Sequence, residues 1–341
     1  MKKIWLDISY ELKNKTGIGE YILTIQKLFN INNIEYENIE CKTDLKGYRA
    51  IIHFLWMNSI LLIKTLINKP DIIIFPNFRM PFFKRSKTEY IVVIHDLAMF
   101  YPKFMPSKYS RSIFQYYVKN SIKNADKIIT VSESVKKELI KKFKLSPQNI
   151  YIVYNLVNFE KFNTEKTELP RNLKKDTYIL SISNLNVNKN ISSLIKTYQS
   201  LNHPELKLVL VGKKGTANLD EYKGNSNIIF TGYLTDEEIA LLYQNALLYV
   251  FPSLYEGFGI PLIEAQYSEC PVLCSDIPVF REVAGDGAEF CKPDEASIAQ
   301  KLEYLISNEA RRKELIQLGK ANVNQFSLNR ISEQFKEVIN E

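Results

Sequence analysis

At 341 residues the chain is too long for one ordinary hydrophobic core and is expected to form two domains. An apolar share of 45% and a charged share of 24% fit a folded globular protein and exclude a disordered or fibrous one. The net charge of +7 is unevenly shared: residues 1–170 hold 27 Lys and Arg against 16 Asp and Glu, the remainder 18 against 22. The basic first half points to an anionic partner, nucleic acid or an acidic membrane. No unbroken apolar run of about 18 residues is present, so no membrane span is expected. The start, Met1-Lys2-Lys3-Ile4-Trp5-Leu6-Asp7, meets an acid after three apolar residues and reads as a first strand, not a signal peptide. Cys41, Cys270, Cys274 and Cys291 lack the spacing of a zinc site and read as thiols in a reducing cytosol.

In chain order, a strand over Lys3–Ile8 leads to Thr16-Gly17-Ile18-Gly19 and an amphipathic helix to about Phe29. Strand, Gly-x-Gly and helix form a phosphate-binding arrangement, although a plain tight turn fits the same residues. Asp71–Phe75 and Tyr90–His95 read as buried parallel strands. The second exits at His95-Asp96, where open α/β sheets bind ligands; a structural histidine is the rival reading. A helix over Ser110–Lys123, a strand ending near Ser132 and a Lys-rich helix with Ser132 or Ser134 as N-cap follow. Residues 160–176 are polar and aperiodic and read as the linker. The alternation then restarts with strands near 178–183, 206–211, 228–230 and 247–251. Thr235 and Glu238 outline a capping box. Two successive βα arrays predict two doubly wound parallel-sheet domains facing across a cleft.

The densest chemistry lies in Val250–Gln266. An apolar strand end is followed by Pro252, Ser253 and a Gly257-Phe258-Gly259 turn, then by Pro261 at a helix start. Amides at a helix start hold anions, and glycines let a ligand approach the backbone. Glu256 stands before the turn and Glu264 is expected in the first helical turn after it. A phosphate cradle between two acids suits a nucleotide sugar, although helix-dipole compensation also accounts for Glu264 alone.

Glu256-Gly-Phe-Gly-Ile-Pro-Leu-Ile-Glu264 resembles the E-x7-E signature of the family-4 retaining glycosyltransferases. Supporting matches, in order, are Gly17-Ile18-Gly19, His95-Asp96-Leu97, Ile129-Thr130-Val131-Ser132-Glu133, Lys189-Asn190, Phe230-Thr231-Gly232-Tyr233, Pro271-Val272 and Glu282–Ala288. The resemblance implies the GT-B fold: an acceptor domain over 1–165, joined by the tail 326–341, and a nucleotide-sugar domain over 166–325. It implies that Glu256 contacts the donor sugar, that Gly257, Phe258, Gly259 and Ile260 hold sugar and diphosphate through their amides, and that Glu264 binds the ribose. Lys189 matches the family's pyrophosphate lysine, though a solvated helix-start lysine is its rival reading. An arginine of many members is replaced by Ser183, so the leaving group has one cation fewer. Gly17 and Gly19 would cover the diphosphate from the other domain, and His95 would contact the transferred sugar. Asp96 would orient its loop or His95. Gly212, Tyr233 and Leu234 would border the base pocket.

The resemblance implies transfer with retention, by front-side displacement in which the leaving phosphate deprotonates the acceptor hydroxyl. Neither a metal nor another cofactor is expected, and no Asp-x-Asp motif is present. The expected enzyme moves a hexosyl unit to a glycan, on a polyprenyl-diphosphate lipid, in surface polysaccharide or O-antigen assembly. Mannosyl, glucosyl, galactosyl and rhamnosyl transfer stay open. So do a soluble acceptor, as in sucrose-phosphate or glycogen synthases, and a non-catalytic nucleotide-sugar-binding subunit. The stretch Lys103–Lys144, which mixes bases with aromatics, suggests peripheral contact with an anionic inner membrane; solvated helix faces over core aromatics are the alternative. The donor motif argues against nucleic acid as the partner. The expected location is the cytoplasm, with the inner face of the plasma membrane as the place of that contact.

Overall fold

The computed structural model describes residues 2–9, 17–42, 48–105, 107–163, 168–201, 203–222 and 224–340. Thr16 of the first glycine loop, residues 164–167 of the expected linker and Glu341 lie outside the described residues. The chain divides into two compact units, Met1–Leu156 with Leu328–Glu341, and Val157–Ser327.

Unit 1 is built on β1 (Ile4–Asp7), β2 (Tyr36–Ile39), β3 (Ile72–Phe75), β4 (Glu89–Ile94), β5 (Lys127–Thr130) and β6 (Ile150–Ile152). They form one parallel sheet in the order β2-β1-β3-β4-β5-β6. Every residue of β1, β3 and β5 is buried, Asp7, Lys127 and Thr130 at the strand ends included, as in strands covered on both faces. The final helix, Leu328–Asn340, buries Ile331, Phe335, Val338 and Ile339, a single helical stripe. It packs back on unit 1: Phe335 meets Phe29 edge-on at 5.2 Å. Lys127 Nζ donates to the Val338 carbonyl at 2.8 Å, and Lys2 Nζ to that of Ile339 at 2.7 Å.

One long helix of unit 1 was not foreseen. Arg49–Leu55, a π-helical turn over Trp56–Ile60, and Leu61–Asn68 run on without a break, since the junction residues keep helical dihedrals. Trp56, Met57 and Leu61 sit in the unit 1 core. The sequence there is broken by His53, Asn58, Ser59 and Lys64, so a search for unbroken apolar runs passes over it. By length and average composition, however, Ile51–Asn68 is apolar enough to cross a membrane. Its inner face is committed to the core.

Unit 2 carries β7 (Tyr178–Ile182), β8 (Lys207–Val211), β9 (Ile228–Gly232), β10 (Leu248–Phe251), β11 (Val272–Ser275) and β12 (Glu289–Cys291). The order β12-β11-β10-β7-β8-β9 is again wholly parallel. Counted within the unit this is 3-2-1-4-5-6, the dinucleotide-fold order, with its switch point between β7 and β10. Local signals hold where expected. Ser132 accepts from the Val135 amide at 3.1 Å, and Thr235 and Glu238 close a reciprocal capping box. The units change over after Leu156, earlier than the expected 165. Phe159 stacks on Tyr267 at 4.3 Å and Gln244 donates to the Phe162 carbonyl, so the start of the supposed linker is anchored in unit 2.

Candidate functional site

At the unit 2 switch point, the segment leaving β7 meets the segment leaving β10. The Leu254 amide donates to the Asn188 carbonyl at 2.7 Å, and the Asn188 side chain returns a bond to the Tyr255 carbonyl at 3.2 Å. This clamp brings Lys189 to Glu256, with Nζ and Oε1 2.5 Å apart. Ser253 donates to the same oxygen at 2.8 Å, and the ammonium lies 5.4 Å from the Phe251 ring centre. Both partners are largely shielded, at 17% and 14% side-chain exposure, so water screens the pair weakly. Lys189 is therefore not a solvated helix-start lysine.

Three residues after Glu256 the backbone turns through Gly259, whose φ of +129° disfavours any side chain. A Cβ there would also press Leu262 and Phe280 at 3.2 Å. Phe258 is buried edge-on against Phe326 and anchors the turn, so its side chain is unavailable to a ligand and only its backbone can serve one. The helix that follows spans Ile260–Tyr267, with Pro261 in its first turn.

Glu264 stands one turn further along than expected and is only 7% exposed. A helix dipole acts within the terminal turn, so compensation of that dipole does not account for this carboxylate. Its partners do: Lys161 pairs with Oε1, and the Tyr243 hydroxyl donates to Oε2 at 3.2 Å. Burial drives the Tyr243 phenol far up, which keeps it a proton donor at neutral pH. The two acids of the motif are thus each held by a lysine from a different loop.

Gly212 ends β8 with φ +141°, and a Cβ there would lie 1.9 Å from the Ser183 carbonyl oxygen. That glycine is what lets β8 leave the sheet against the Ser183 backbone. The Ser183 hydroxyl is buried without a protein hydrogen-bond partner. Tyr233, 54% exposed, lies with its ring 4.5 Å from the Lys213 ammonium, beside the half-buried Leu234.

Gly17, Gly19 and His95 belong to unit 1. Gly17 opens the helix Gly17–Ile31, which also contains Gly19. His95 follows β4; its Nε2 lies 2.8 Å from the Pro76 carbonyl, which can only accept, so Nε2 carries the proton. Burial lowers the His95 pKa, leaving a neutral ring whose Nδ1 is an acceptor. Tyr21 packs edge-on against it at 5.0 Å. Asp96 accepts from the Ala98 amide at 2.8 Å and so orients its own loop.

Sequence reasoning did not single out Lys161, Ser253 or Tyr243, nor Asp7 as a site residue. Ser253 was visible as a hydroxyl inside the motif loop. Lys161 lies 103 residues from Glu264, and nothing local announces the contact. Asp7 ends β1 in full burial, with Ser9 donating to Oδ1 through both its hydroxyl, at 2.5 Å, and its amide, at 2.9 Å; burial still raises its pKa to about 6. Among the described residues no group of three or more His, Cys, Asp or Glu is gathered to hold a metal ion.

The sequence model of the group 1 glycosyl transferases matches residues 163–322, and that of Glycosyltransferase Family 4 matches residues 40–161. An O-antigen chain mannosyltransferase, RfbU of Salmonella typhimurium, is 31% identical over 209 residues, which are 60% of this chain and 57% of that protein. The match thus spans little more than half the length of that relative. The N-acetylgalactosamine-N,N'-diacetylbacillosaminyl-diphospho-undecaprenol 4-alpha-N-acetylgalactosaminyltransferase of Campylobacter jejuni is 26% identical over 250 residues, 71% of this chain and 67% of that one. Among solved structures, Anabaena Alr3699/HepE in complex with UDP and glucose superposes with a TM-score of 0.72 at 16% identity, covering 100% of both chains. That likeness establishes the GT-B architecture.

Proposed function

We propose, from the premise that this chain belongs to glycosyltransferase family 4, that it transfers a hexosyl unit from a nucleotide-diphosphate sugar to a lipid-linked glycan in surface polysaccharide assembly. The observation that carries this reading is the pair of lysine-held carboxylates, Glu256 and Glu264, on either side of the Gly259 turn at the unit 2 switch point. Glu256 accepts from hydroxyls of the donor sugar and Glu264 from those of the ribose. The glycine-turn amides and Lys189 hold the diphosphate, with the Ser183 hydroxyl as a further donor. The nucleotide complex of Alr3699/HepE and the undecaprenol named for the C. jejuni relative support this donor and acceptor class.

In the reaction the bond from the anomeric carbon to the β-phosphate oxygen breaks while the acceptor oxygen bonds to that carbon on the same face. The acceptor proton passes to the leaving phosphate, and nucleoside diphosphate departs. Lys189 offsets the charge that develops on that phosphate, so the transfer proceeds in EDTA.

Thermal-shift titration against UDP-, GDP-, ADP- and dTDP-sugars tests the reading, since a bound donor raises the melting temperature by mass action. One of the four is expected to do so. Glu256→Ala should retain the fold and lose transfer by roughly 10²–10³-fold, the scale of removing one preorganised polar contact. Full activity in that variant overturns the site assignment.

A further inference from the structure

The outer face of the helix Arg49–Asn68 is as apolar as its inner one. Ile51, Leu55, Ile60, Ile63, Leu66 and Ile67 are each at least 50% exposed, at spacings of three to five residues up to the adjacent pair Leu66 and Ile67, which keeps them on one side across the π-turn. Trp56, Met57, Leu61 and Thr65 are buried on the other side. This surface continues beyond the helix. Phe54 meets Phe82 at 5.8 Å, and Phe82 meets Tyr116 of the helix Lys108–Asn124 at 5.4 Å. The Phe82 amide also donates to Asn58. Phe83, Tyr109 and Tyr116 extend it with exposed rings. A soluble protein rarely leaves so much contiguous apolar surface without a partner.

Charge identifies the partner. The segments that contribute to this face, residues 51–70, 72–88 and 97–125, hold eleven Lys or Arg and no Asp or Glu, although Arg79 among them is stacked on the rings of Phe78, Phe114 and Tyr117. The acids between these segments are engaged within the unit. Asp71 accepts from the Lys3 amide, Glu89 pairs with Lys127, Asp96 accepts from Ala98, and Asp126 pairs with Lys84. Lys64, Lys69 and Lys87 are exposed. A second copy of so basic a face would be repelled, and a nucleic acid, although it could stack on the exposed rings, has no apolar surface to cover the aliphatic row of the helix. An anionic bilayer satisfies both properties, taking the aliphatic and aromatic groups into its interface and the ammonium groups among its headgroups.

We propose that unit 1 docks on an anionic lipid bilayer through this face, with the helix Arg49–Asn68 lying in the plane of the interface. The helix does not span the bilayer, because Trp56, Met57 and Leu61 are bound into the unit 1 core. The binding requires neither donor nor acceptor. The sequence placed membrane contact in Lys103–Lys144; here part of that stretch supplies the rim and the helix before it supplies the insertion.

The test is co-sedimentation of the full chain, without substrates, with vesicles of phosphatidylcholine alone and of phosphatidylcholine mixed with phosphatidylglycerol. The wild type should partition onto the mixed vesicles and only weakly onto neutral ones. The triple variant Ile63→Gln, Leu66→Gln, Ile67→Gln should lose at least about tenfold in partition, with its circular dichroism and melting temperature kept. Lys64→Glu with Lys69→Glu should lose at least about tenfold on the mixed vesicles and little on neutral ones. Donor thermal shifts should be unchanged in both variants, which separates failure of docking from failure of the donor-site reading. The proposal falls if the wild type stays in the supernatant, or if the triple variant binds as well as the wild type. It falls equally if the wild type forms a dimer that the triple variant abolishes, which would make a second copy the occupant.

Discussion

The two units use the same βα grammar for different ends. Unit 2 has the strand order 3-2-1-4-5-6, and its candidate site lies where that order reverses: two loops clamped together, two carboxylates each paired with a lysine, and a glycine where backbones touch. Unit 1 moves one strand, giving 2-1-3-4-5-6, and its distinction lies on its outside. Of the large hydrophobic residues exposed among the described ones, thirteen belong to unit 1 and four to unit 2, and the excess of positive charge goes with them. A doubly wound sheet fixes where a ligand site can form, at the carboxyl ends of its strands, and leaves the helical faces free to be shaped for other surfaces. Each unit has its own core, so perturbing one is expected to leave the other folded.

The largest effect expected from that independence is at Gly212. Gly212→Ala sets a Cβ against the Ser183 carbonyl at 1.9 Å on a backbone with φ +141°, which should cost unit 2 about 4 kcal/mol or prevent its folding. Limited proteolysis should then leave a resistant unit 1 as two associated fragments, near 1–156 and 328–341, and cooperative loss of both units would break the comparison. Lys161→Met leaves Glu264 buried with only Tyr243 as a partner and should cost about 3 kcal/mol in urea unfolding. It should also weaken nucleotide binding, and rescue by Lys161→Arg would assign the effect to charge.

The smallest expected effect is in unit 1 and depends on pH. The folded-state pKa of Asp7, about 6, stands above its usual 3.8, so the native state binds this proton more tightly than the unfolded state. Its burial therefore costs little below about pH 4; the cost grows between about pH 4 and 6 and is constant above. Asp7→Asn, which keeps an acceptor for Ser9, should match the wild type at pH 4 and exceed it by about 2 kcal/mol at pH 7.5. Urea titrations at the two pH values measure this difference. A constant difference between wild type and variant would show that Asp7 is not desolvated.

Much of this was legible in the residues. Hydrophobic runs located most strands because a parallel strand covered on both faces is mostly apolar, and Ser132 and Thr235 announced helix starts because short polar side chains reach the terminal amides. The site was legible as far as its motif: Glu256, Gly259 and Glu264 are close in sequence. What surrounds them was not. The Lys189–Glu256 pair spans 67 residues, and Lys161–Glu264 spans 103. The helix Arg49–Asn68 escaped because both its faces are apolar, so the alternation between core and solvent sides that identifies a surface helix is missing.

The sequence alone therefore determined the two βα arrays, the glycine turn between two acids, the caps and the basic bias of the first half. Each of these is set by interactions within a few residues or by summed composition. The tertiary structure decided the strand orders, the placing of the final helix on unit 1 and of Phe159 and Lys161 on unit 2, the lysine that holds each carboxylate, and which apolar face is left uncovered. Those depend on which distant segments are packed together, and a pattern read along one stretch of chain carries no record of its neighbours in space.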